Sequence, residues 1–296
     1  MVREAGFPPG VVNIVNGRGP AAGAALARHP HVDKIAFTGS TETAIEVART
    51  AAATMKSVTL EAGGKSPIIV FDDADLPQAV RWAHEGVMAN QGQVCSATSR
   101  LLVQDGVHDA FVEALVAYTA QRSVLGDPFD QATYQGPQVS AAQRDRVLSY
   151  IAQARAAGAT VTHPVGPVSA LPRRGFFAPP TIFTDVPPAA GAVFRDEIFG
   201  PCAAVMRFGT EDEAVAAANG SRYGLAAAVM TRDLARAHRL GRRLEAGTVW
   251  INSSNDTDVR VPFGGVKQSG LGRELGEEGL RPYYTLKAVH VNLTGA

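Results

Sequence analysis

Two hydrophobic patterns alternate along the chain. Short apolar runs rich in β-branched residues are typical of buried strands, and longer segments with apolar residues every three to four positions are typical of amphipathic helices. The short runs predict strands at residues 11–15, 34–37, 58–61, 68–71, 100–103, 203–208, 225–230 and 248–252. The longer segments predict helices at residues 76–89, 111–118 and 140–157, the last followed by Gly158. This alternation predicts an α/β protein with mostly parallel sheets.

The two ends of the chain carry further apolar runs. Residues 287–293 predict one more strand near the C-terminus. At the start, residues 2–7 have the composition of a helix end and lead directly into the strand predicted at residues 11–15. A parallel sheet that begins in this way leaves an edge or a face uncovered. We therefore expect an N-terminal portion of the fold to be absent from this sequence.

Charge and composition exclude several classes of partner. The 296 residues contain 28 Lys and Arg and 28 Asp and Glu, so the formal net charge is +0, and neither end carries a long run of like charge. Binding to nucleic acid or to an anionic membrane is therefore not expected. The first residues lack the apolar core of a signal peptide, and no stretch approaches the length of a membrane span. We predict a cytoplasmic protein without a metal site.

The two cysteines are too few for a disulfide framework and are interpreted separately. Cys202 begins an apolar run and is predicted to be a small buried residue. Cys95 follows a predicted helix in the polar segment NQGQVCS, whose backbone amides and amide side chains could stabilise a thiolate or an oxyanion. Cys95 is therefore the candidate nucleophile.

Glu61 is the candidate base. It ends a predicted strand and is followed by Gly63 and a second glycine, where backbone and ligand can approach closely. Taken alone, this carboxylate has a simpler interpretation, a surface ion pair with Lys65. Beside a cysteine nucleophile, however, a glutamate can activate the water that hydrolyses a thioester once burial has raised its pKa. We interpret Cys95 and Glu61 together as nucleophile and base.

Three other segments have features of ligand sites. In FTGST, Gly39 and Ser40 lie at a turn from a strand into a helix, whose free amides suit a phosphate. Residues 17–23 also follow a predicted strand, but they lack the spacing of a dinucleotide fingerprint and could equally open a helix. The segment RDEIFGP, with Glu197 and Phe199, has the alternative interpretation of a charged turn that leads into a strand.

These segments resemble the aldehyde dehydrogenase superfamily, of the NAD(P)-dependent, hydrolytic type. The motifs FTGST, LEAGGKSP, NQGQVCSATSR, EIFGP and PFGGVKQSGLGRELG occur in the order and approximate spacing of that family, from about Glu4 to the C-terminus. One motif is moderately specific, and all five in order are very specific. The resemblance implies an aldehyde dehydrogenase-like α/β fold with part of a Rossmann-like coenzyme domain, an α/β catalytic domain and a C-terminal oligomerisation strand. The implied boundaries are 1–62 for the coenzyme part, 63–263 for the catalytic domain, 264–284 for a return to the coenzyme domain and 285–296 for the strand.

The resemblance also implies roles for individual residues. Cys95 matches the family's nucleophile, and Glu61 matches its base. The implied cofactor is NAD, with NADP as the alternative. The residues implied to bind it are Gly19 and Pro20 at the adenine, Gly39 and Ser40 at the pyrophosphate, Gly63 next to the base, Gln143 toward the adenosine, Glu197 at the nicotinamide ribose and Phe199 against the nicotinamide ring.

The sequence departs from the family pattern in three places. Ala62 stands where the family usually has leucine, and Ala44 stands where it usually has a second glycine. The third departure is larger, because the family's first portion has no counterpart here. That portion carries the asparagine of the oxyanion hole, the lysine and the acidic residue that bind the adenosine ribose, and half of the oligomerisation arm.

The implied reaction is oxidation of an aldehyde to a carboxylic acid. Cys95 would form a thiohemiacetal and, after hydride transfer to NAD(P), a thioester that water activated by Glu61 would hydrolyse. Glu61 argues against acyl transfer to coenzyme A, which needs no such base. The full-length form is expected to be a homo-oligomer, a dimer or a tetramer. The alternative is an inactive or truncated fragment that acts only as a binding or structural subunit.

Overall fold

Strands and helices alternate through most of the computed structural model, which describes residues 1–172 and 174–295. The strands are β1 (Lys34–Thr38), β2 (Ser57–Glu61), β3 (Pro67–Val70), β4 (Arg100–Gln104), β5 (Thr160–Thr162), β6 (Thr181–Thr184), β7 (Cys202–Phe208), β8 (Ala226–Met230), β9 (Thr248–Ile251) and β10 (Gly270–Leu271). The helices are α1 (Ala24–Arg28), α2 (Thr41–Ala52), α3 (Leu76–Met88), α4 (His108–Arg122), α5 (Ala141–Ala156), α6 (Ala192–Arg195), α7 (Glu211–Asn219) and α8 (Leu234–Arg243). Short helical turns lie at Gly19–Gly23, Ala89–Gly92, Val168–Ala170, Pro188–Ala190, Lys267–Ser269 and Arg281–Tyr283.

The strands form two sheets. The smaller sheet has the order β1-β2-β10, in which β1 is parallel and β10 antiparallel to β2. The larger sheet has the order β5-β6-β7-β4-β3-β8-β9 and is parallel except for β5, which is antiparallel to β6. These mostly parallel sheets confirm the predicted α/β fold class.

Helices cover both faces of the larger sheet. Ile68 and Val70 of β3 pack with Leu115 of α4 on one face, whereas Ile69 packs with Leu240 of α8 on the other. Successive side chains of a strand point to opposite faces, so a central strand that is covered on both sides is apolar at every position. All four residues of β3 are buried accordingly.

Side-chain caps begin the helices that frame the candidate site. Ser40, Asp75 and Ser140 precede α2, α3 and α5, and each accepts a hydrogen bond from the backbone amide three residues further on, at 3.2, 3.1 and 3.2 Å. A cap of this kind satisfies one of the amides that a helix start leaves without a partner. The caps therefore fix where each helix begins relative to the sheet ends.

Most predicted elements are confirmed. The strands predicted between residues 34 and 252 correspond to β1, β2, β3, β4, β7, β8 and β9, and the helices correspond to α3, α4 and α5. Gly158 follows α5 with a left-handed φ of 93°, as its place at the helix end predicts. The sequence pattern does not predict β5, β6 and β10, which have three, four and two residues.

Two predicted strands are wrong. The structure describes residues 11–15 and 287–293 and shows no strand in either segment. Ile14 is 86% exposed and Leu293 is 91% exposed. An apolar, β-branched run forms a strand only when a neighbouring strand supplies hydrogen-bond partners and packing, and none of the described strands lies beside these two segments.

The domain boundaries remain a prediction. The smaller sheet joins residues 34–61 with residues 270–271, and the larger sheet uses residues 67–251, which is compatible with a return to the first domain at 264–284. The last predicted segment, 285–296, includes Ala296, which lies outside the described residues.

Candidate active site

A cleft of about 610 Å³ opens beside the ends of both sheets. Seven of the ten predicted site residues line it: Gly39, Ser40, Gly63, Cys95, Gln143, Glu197 and Phe199. Gly39 and Gly63 follow the carboxyl ends of the parallel strands β1 and β2, where open α/β sheets bind their ligands. The cleft is therefore where the sequence-predicted residues converge.

Cys95 lies in a loop that begins at the end of α3. The segment Ala89–Gly92 makes a tight turn, and Cys95 follows it with its side chain partly exposed to the cleft. Beyond the cysteine, the Ser96 hydroxyl donates to the Asn255 side-chain oxygen at 2.6 Å, and the Thr98 amide donates to the Gly86 carbonyl at 3.0 Å. The segment that follows the candidate nucleophile is thus held in place by two hydrogen bonds.

Burial raises the pKa of the Cys95 thiol above its usual value. The carboxylates of Glu197 and Glu61 act in the same direction, whereas the Ser96 amide lowers the pKa. The direction is opposite to that of a preformed thiolate, so the amide-rich loop does not by itself ionise Cys95. Cys202 is 1% exposed, which confirms its interpretation as a buried residue, and burial raises the pKa of its thiol to about 12.

Glu61 is the last residue of β2 and is almost fully buried. It is 3% exposed, and neither carboxyl oxygen has a hydrogen-bond partner within the described part of the chain. Burial, and then the nearby Glu274 carboxylate, raise the pKa of Glu61 to about 7, although Arg273 opposes the shift. A carboxyl group with this pKa is divided between its charged and neutral forms near neutral pH. It can therefore accept a proton there, as a general base must.

The interpretation of Glu61 as a surface partner of Lys65 is wrong. Lys65 is only 2% exposed, so neither side chain is at the surface. Among the described residues, no ion pair joins the two. Burial lowers the pKa of Lys65 to about 8, while the carboxylates of Glu197 and Asp196 raise it.

Glu197 packs against the glycines that follow Glu61. The Gly64 amide donates to the Glu197 Oε1 at 3.2 Å, and a Cβ atom at Gly63 would overlap the Glu197 carboxylate. A side chain at position 63 would displace the Glu197 carboxylate from this position. The predicted approach of a ligand to these glycines stays a prediction. Burial raises the pKa of Glu197, and the Gly64 amide and the Lys65 ammonium group oppose that shift.

Gln143, in the first turn of α5, supports the segment that contains Phe199. Its Nε2 donates to the Ile198 carbonyl at 3.0 Å and to the Phe199 carbonyl at 2.8 Å. Phe199 itself has a left-handed φ of 59°, a conformation that a bulky residue rarely adopts without such support. The predicted contact of Gln143 with the adenosine side of a cofactor stays a prediction.

Gly19 and Pro20 do not lie at the cleft that the other predicted cofactor-binding residues line. They begin the exposed helical turn Gly19–Gly23, and neither is among the described residues that line the cleft. The alternative interpretation of residues 17–23 as a helix-opening segment is confirmed, since this turn leads directly into α1. Their assignment to the adenine remains a prediction.

Gly39 and Ser40 form the turn between β1 and α2. The Gly39 amide donates to the Glu61 carbonyl at 3.0 Å, which ties the end of β1 to the end of β2. The Ser40 hydroxyl caps α2 at the margin of the cleft. Helix amides at such an end suit an anionic ligand.

Sequence reasoning missed several cleft residues. Arg146 donates to the Glu197 carbonyl at 2.8 Å, and Tyr150 donates to the Asp196 carboxylate at 3.0 Å. Both lie three or four residues apart on the same face of α5 as Gln143, so helical spacing could have found them. Arg222 and Tyr223 also line the cleft, but they come from a loop far along the chain without a local signal.

The described residues contain neither a cluster suited to a metal ion nor a helix suited to crossing a membrane. Within residues 1–172 and 174–295, no cluster of three or more His, Cys, Asp or Glu side chains is placed to hold a metal ion. Across the same residues, no helix combines the length and apolar character that crossing a membrane requires.

The fold and the cleft define a class of protein: an α/β protein in which a cysteine and a half-buried glutamate line a cleft with glycines at the ends of parallel strands, and a second, buried glutamate ends one of those strands. The chain belongs to the aldehyde dehydrogenase family, because the sequence model of the family described as "Aldehyde dehydrogenase family" matches residues 1–289. The resemblance inferred from the motifs is confirmed.

Named relatives agree with this assignment. The chain is 48% identical over 304 residues to NAD(P)+ aldehyde dehydrogenase 1 of Saccharomyces cerevisiae, a match that covers 99% of this chain and 59% of that protein. It is 50% identical over 295 residues to a mitochondrial aldehyde dehydrogenase of Rattus norvegicus, covering 99% and 56%. The NAD+ complex of an aldehyde dehydrogenase from Bacillus cereus has a TM-score of 0.93 at 46% identity, covering 99% and 58%. The chain therefore spans less than two thirds of the length of these relatives.

Proposed function

We propose that this chain carries the nucleophile and the base of an NAD(P)-dependent aldehyde dehydrogenase that releases a carboxylic acid. The observation that carries the proposal is the convergence of Cys95, Gly63, Glu197 and Phe199 on one cleft, with the buried carboxyl group of Glu61 two residues before Gly63 in the chain. Cysteine supplies a nucleophile for the aldehyde carbon, and a carboxylate with a pKa near 7 supplies a base for water.

The cleft residues fit a nicotinamide cofactor. Because position 63 is a glycine, the Glu197 carboxylate can pack against the backbone there and still line the cleft, where a Cβ atom would overlap it. In the proposal Glu197 and Phe199 hold the nicotinamide ribose and ring, and the α2 turn at Gly39 and Ser40 holds phosphate. When bound, NAD or NADP supplies the acceptor for a hydride.

The chain's own residues carry the covalent steps. The raised pKa of Cys95 means that the attacking group carries a proton. The Cys95 sulfur forms a bond to the aldehyde carbon as the carbon–oxygen π bond breaks, and the thiol proton passes to the carbonyl oxygen, which gives a thiohemiacetal. Loss of a hydride from its carbon to the bound cofactor and of the hydroxyl proton to solvent would leave an acyl group on Cys95 as a thioester. Glu61 takes a proton from water, the resulting hydroxide adds to the thioester carbon, and the Cys95 thiolate departs as the carboxylic acid forms. A buried base beside the glycines favours water over a second thiol as the acyl acceptor.

Trapping of the acyl group tests this proposal. In Glu61→Gln, incubated with a simple aldehyde and NAD, we expect the acyl adduct to accumulate on the Cys95 peptide in mass spectrometry. Glu46→Gln, at an exposed position of α2, is the matched control and should not accumulate it. An adduct on Cys202 in place of Cys95, or equal adduct levels in both variants, would contradict the assignment.

We also propose that the complete enzyme is a homo-oligomer. Exposed apolar side chains support this, because Leu286, Val289 and Val291 near the C-terminus are 95%, 75% and 73% exposed. A run of this kind is suited to pairing with another copy of the chain. Size-exclusion chromatography with light scattering would test the proposal, and a monomer at micromolar concentration would contradict it.

A further inference from the structure

The turn that precedes Cys95 is left-handed at three successive residues. Asn90 has φ 49° and ψ 37°, Gln91 has φ 57° and ψ 30°, and Gly92 has φ 68°. Glycine adopts this conformation freely, but Asn90 and Gln91 have side chains that crowd the following carbonyl oxygen. Two successive non-glycine residues keep such a conformation only where surrounding contacts fix it.

Two buried glutamines from the connection between α4 and α5 supply those contacts. Gln135 is 1% exposed, and its Nε2 donates to the Met88 carbonyl at 3.1 Å. Gln138 is 2% exposed, and its Nε2 donates to the Gln91 carbonyl at 3.3 Å. We call Gln135 and Gln138 the glutamine clasp. Burying two polar, flexible side chains is unfavourable by itself, so their contacts with this turn need an explanation.

Two further hydrogen bonds join the turn and the residue after it to the same connection between α4 and α5. The Val139 amide donates to the Gln93 side-chain oxygen at 2.9 Å. With its amide in the orientation that satisfies both ends, Gln91 accepts a hydrogen bond from the Gly136 amide at 3.1 Å. Gly92 also packs so closely on the Gly200 carbonyl that no Cβ atom would fit between them. The turn therefore contacts two separate segments of the chain.

We propose that the glutamine clasp positions Cys95 by holding the left-handed turn closed. Cys95 lies between this turn and the anchor that Ser96 makes with Asn255, so its backbone is fixed on the far side by a separate contact. The Cys95 carbonyl packs so closely on Gly64 that a Cβ atom there would overlap it. If the clasp opens, only the far anchor remains, and the Cys95 backbone is free to leave this packed position and to move the thiol in the cleft. Gln135 and Gln138 are thus positioning residues that do not touch the reacting atoms.

The functional meaning of the clasp rests on the role proposed above for Cys95. The rate of thiol alkylation reports the position of Cys95 and needs no catalytic turnover. An error in the proposed clasp would therefore appear in the alkylation rates, and an error in the proposed function would appear in the trapping of the acyl group. Gln138→Met keeps the volume of the side chain and removes its hydrogen bond. It also removes a buried Oε1 that has no partner within the described residues, so this variant should fold.

The experiment measures the rate constant for iodoacetamide modification of Cys95 at pH 8 by peptide mass spectrometry. In Gln138→Met we expect modification to be roughly fivefold faster, the factor that corresponds to one typical net hydrogen bond. Adding Gln91→Gly should return the rate toward that of the original chain, because glycine holds the left-handed turn without the clasp.

A matched control separates positioning from general loss of stability. Val215→Ala removes apolar contacts of α7 in the core on the other face of the larger sheet and should leave the Cys95 rate within twofold. The proposal is overturned if Gln138→Met reacts at the original rate, if Val215→Ala produces the same increase, or if Gln91→Gly fails to reverse the effect.

Discussion

Cys95 and Cys202 share a chemical group but not an environment. Cys95 is partly exposed in the cleft, whereas Cys202 is 1% exposed and the pKa of its thiol is raised to about 12. Since the thiolate is the reactive species, we expect iodoacetamide at pH 8 to modify Cys95 faster by roughly tenfold or more. Peptide mapping after partial labelling measures the ratio. Cys202→Ser should leave the Cys95 rate unchanged, and preferential labelling of Cys202 in the folded protein would contradict the assignment.

Glu61 should make the stability of the fold depend on pH. Its pKa is raised from an ordinary 4.5 to about 7 in the folded chain, so folding favours the neutral form. This contribution to stability is fully present below pH 4.5 and is lost as the pH rises through about 7. The shift corresponds to about 3 kcal/mol in the free energy of unfolding.

Glu61→Gln should remove that pH dependence. We expect the variant to be more stable than the original chain at pH 8 and similar to it at pH 4.5, measured by urea unfolding at both values. Glu46→Gln, on the exposed face of α2, should show no such difference. A stability gain that is equal at both pH values would show that Glu61 does not titrate in this range.

Local sequence was enough to propose the candidate site residues and to expect a raised pKa for a buried Glu61, but not to expect the raised pKa of Cys95 or the effect of Glu274. Cys95 and Glu61 stand in polar or glycine-containing segments at the ends of predicted elements, which is a local signal. The pKa of Glu61 depends in part on Glu274, which lies more than two hundred residues later in the sequence, after the last strand of the larger sheet. A carboxylate so distant in sequence cannot be assigned to a neighbour before the fold is known.

At the scale of elements, α3 and α4 meet around a buried histidine. His84 is 0% exposed, its Nε2 lies 2.9 Å from the Ser123 hydroxyl, and its ring packs edge-on against Tyr118 at 5.1 Å. Its Nδ1 has no hydrogen-bond partner among the described residues. Burial lowers the pKa of His84 to about 4, so the folded chain strongly favours the neutral ring.

His84 should therefore make the helix pair sensitive to acid. Because the folded pKa is depressed, its contribution to stability is present above pH 6.5 and is lost as the pH falls toward 4, by about 3 kcal/mol. His84→Gln cannot titrate, so we expect its stability to change less between pH 6.5 and pH 4.5. His238→Gln on α8 is the exposed control. Equal acid sensitivity of all three chains in thermal unfolding would contradict the role of His84.

Some strands could be predicted from the sequence, and others could not. The buried run of β3 needs no partner information, since only a covered central strand is apolar at each position. Residues 11–15 have an equally β-branched pattern but no strand beside them among the described residues. β10 has two residues, and β6 follows two prolines in a loop-like stretch, so neither contains enough alternation to be detected.

At the scale of the whole molecule, the larger sheet has more strands and more packed helices than the smaller sheet. The larger sheet has seven strands with packed helices on both faces, whereas the smaller one has three strands, and within the described residues β1 pairs only with β2. A small sheet with an open edge is marginal by itself and invites association with other chains. The part of the molecule that contains Cys95 is therefore better supported than the part proposed to hold phosphate.

This imbalance leads to a prediction about residues 1–296 assayed alone. The chain spans 56–59% of the length of the relatives compared above. The family resemblance assigns the oxyanion-hole asparagine to the family's first portion, and we expect it to lie outside residues 1–296. Loss of one oxyanion donor costs roughly 100- to 1,000-fold in rate. We expect NADH formation with a simple aldehyde in excess to be at least about 100-fold below the ~10 per second typical of enzymes. Cys95→Ser supplies the blank for non-enzymatic reduction of NAD. Turnover within about tenfold of that typical value would show that these residues suffice for catalysis.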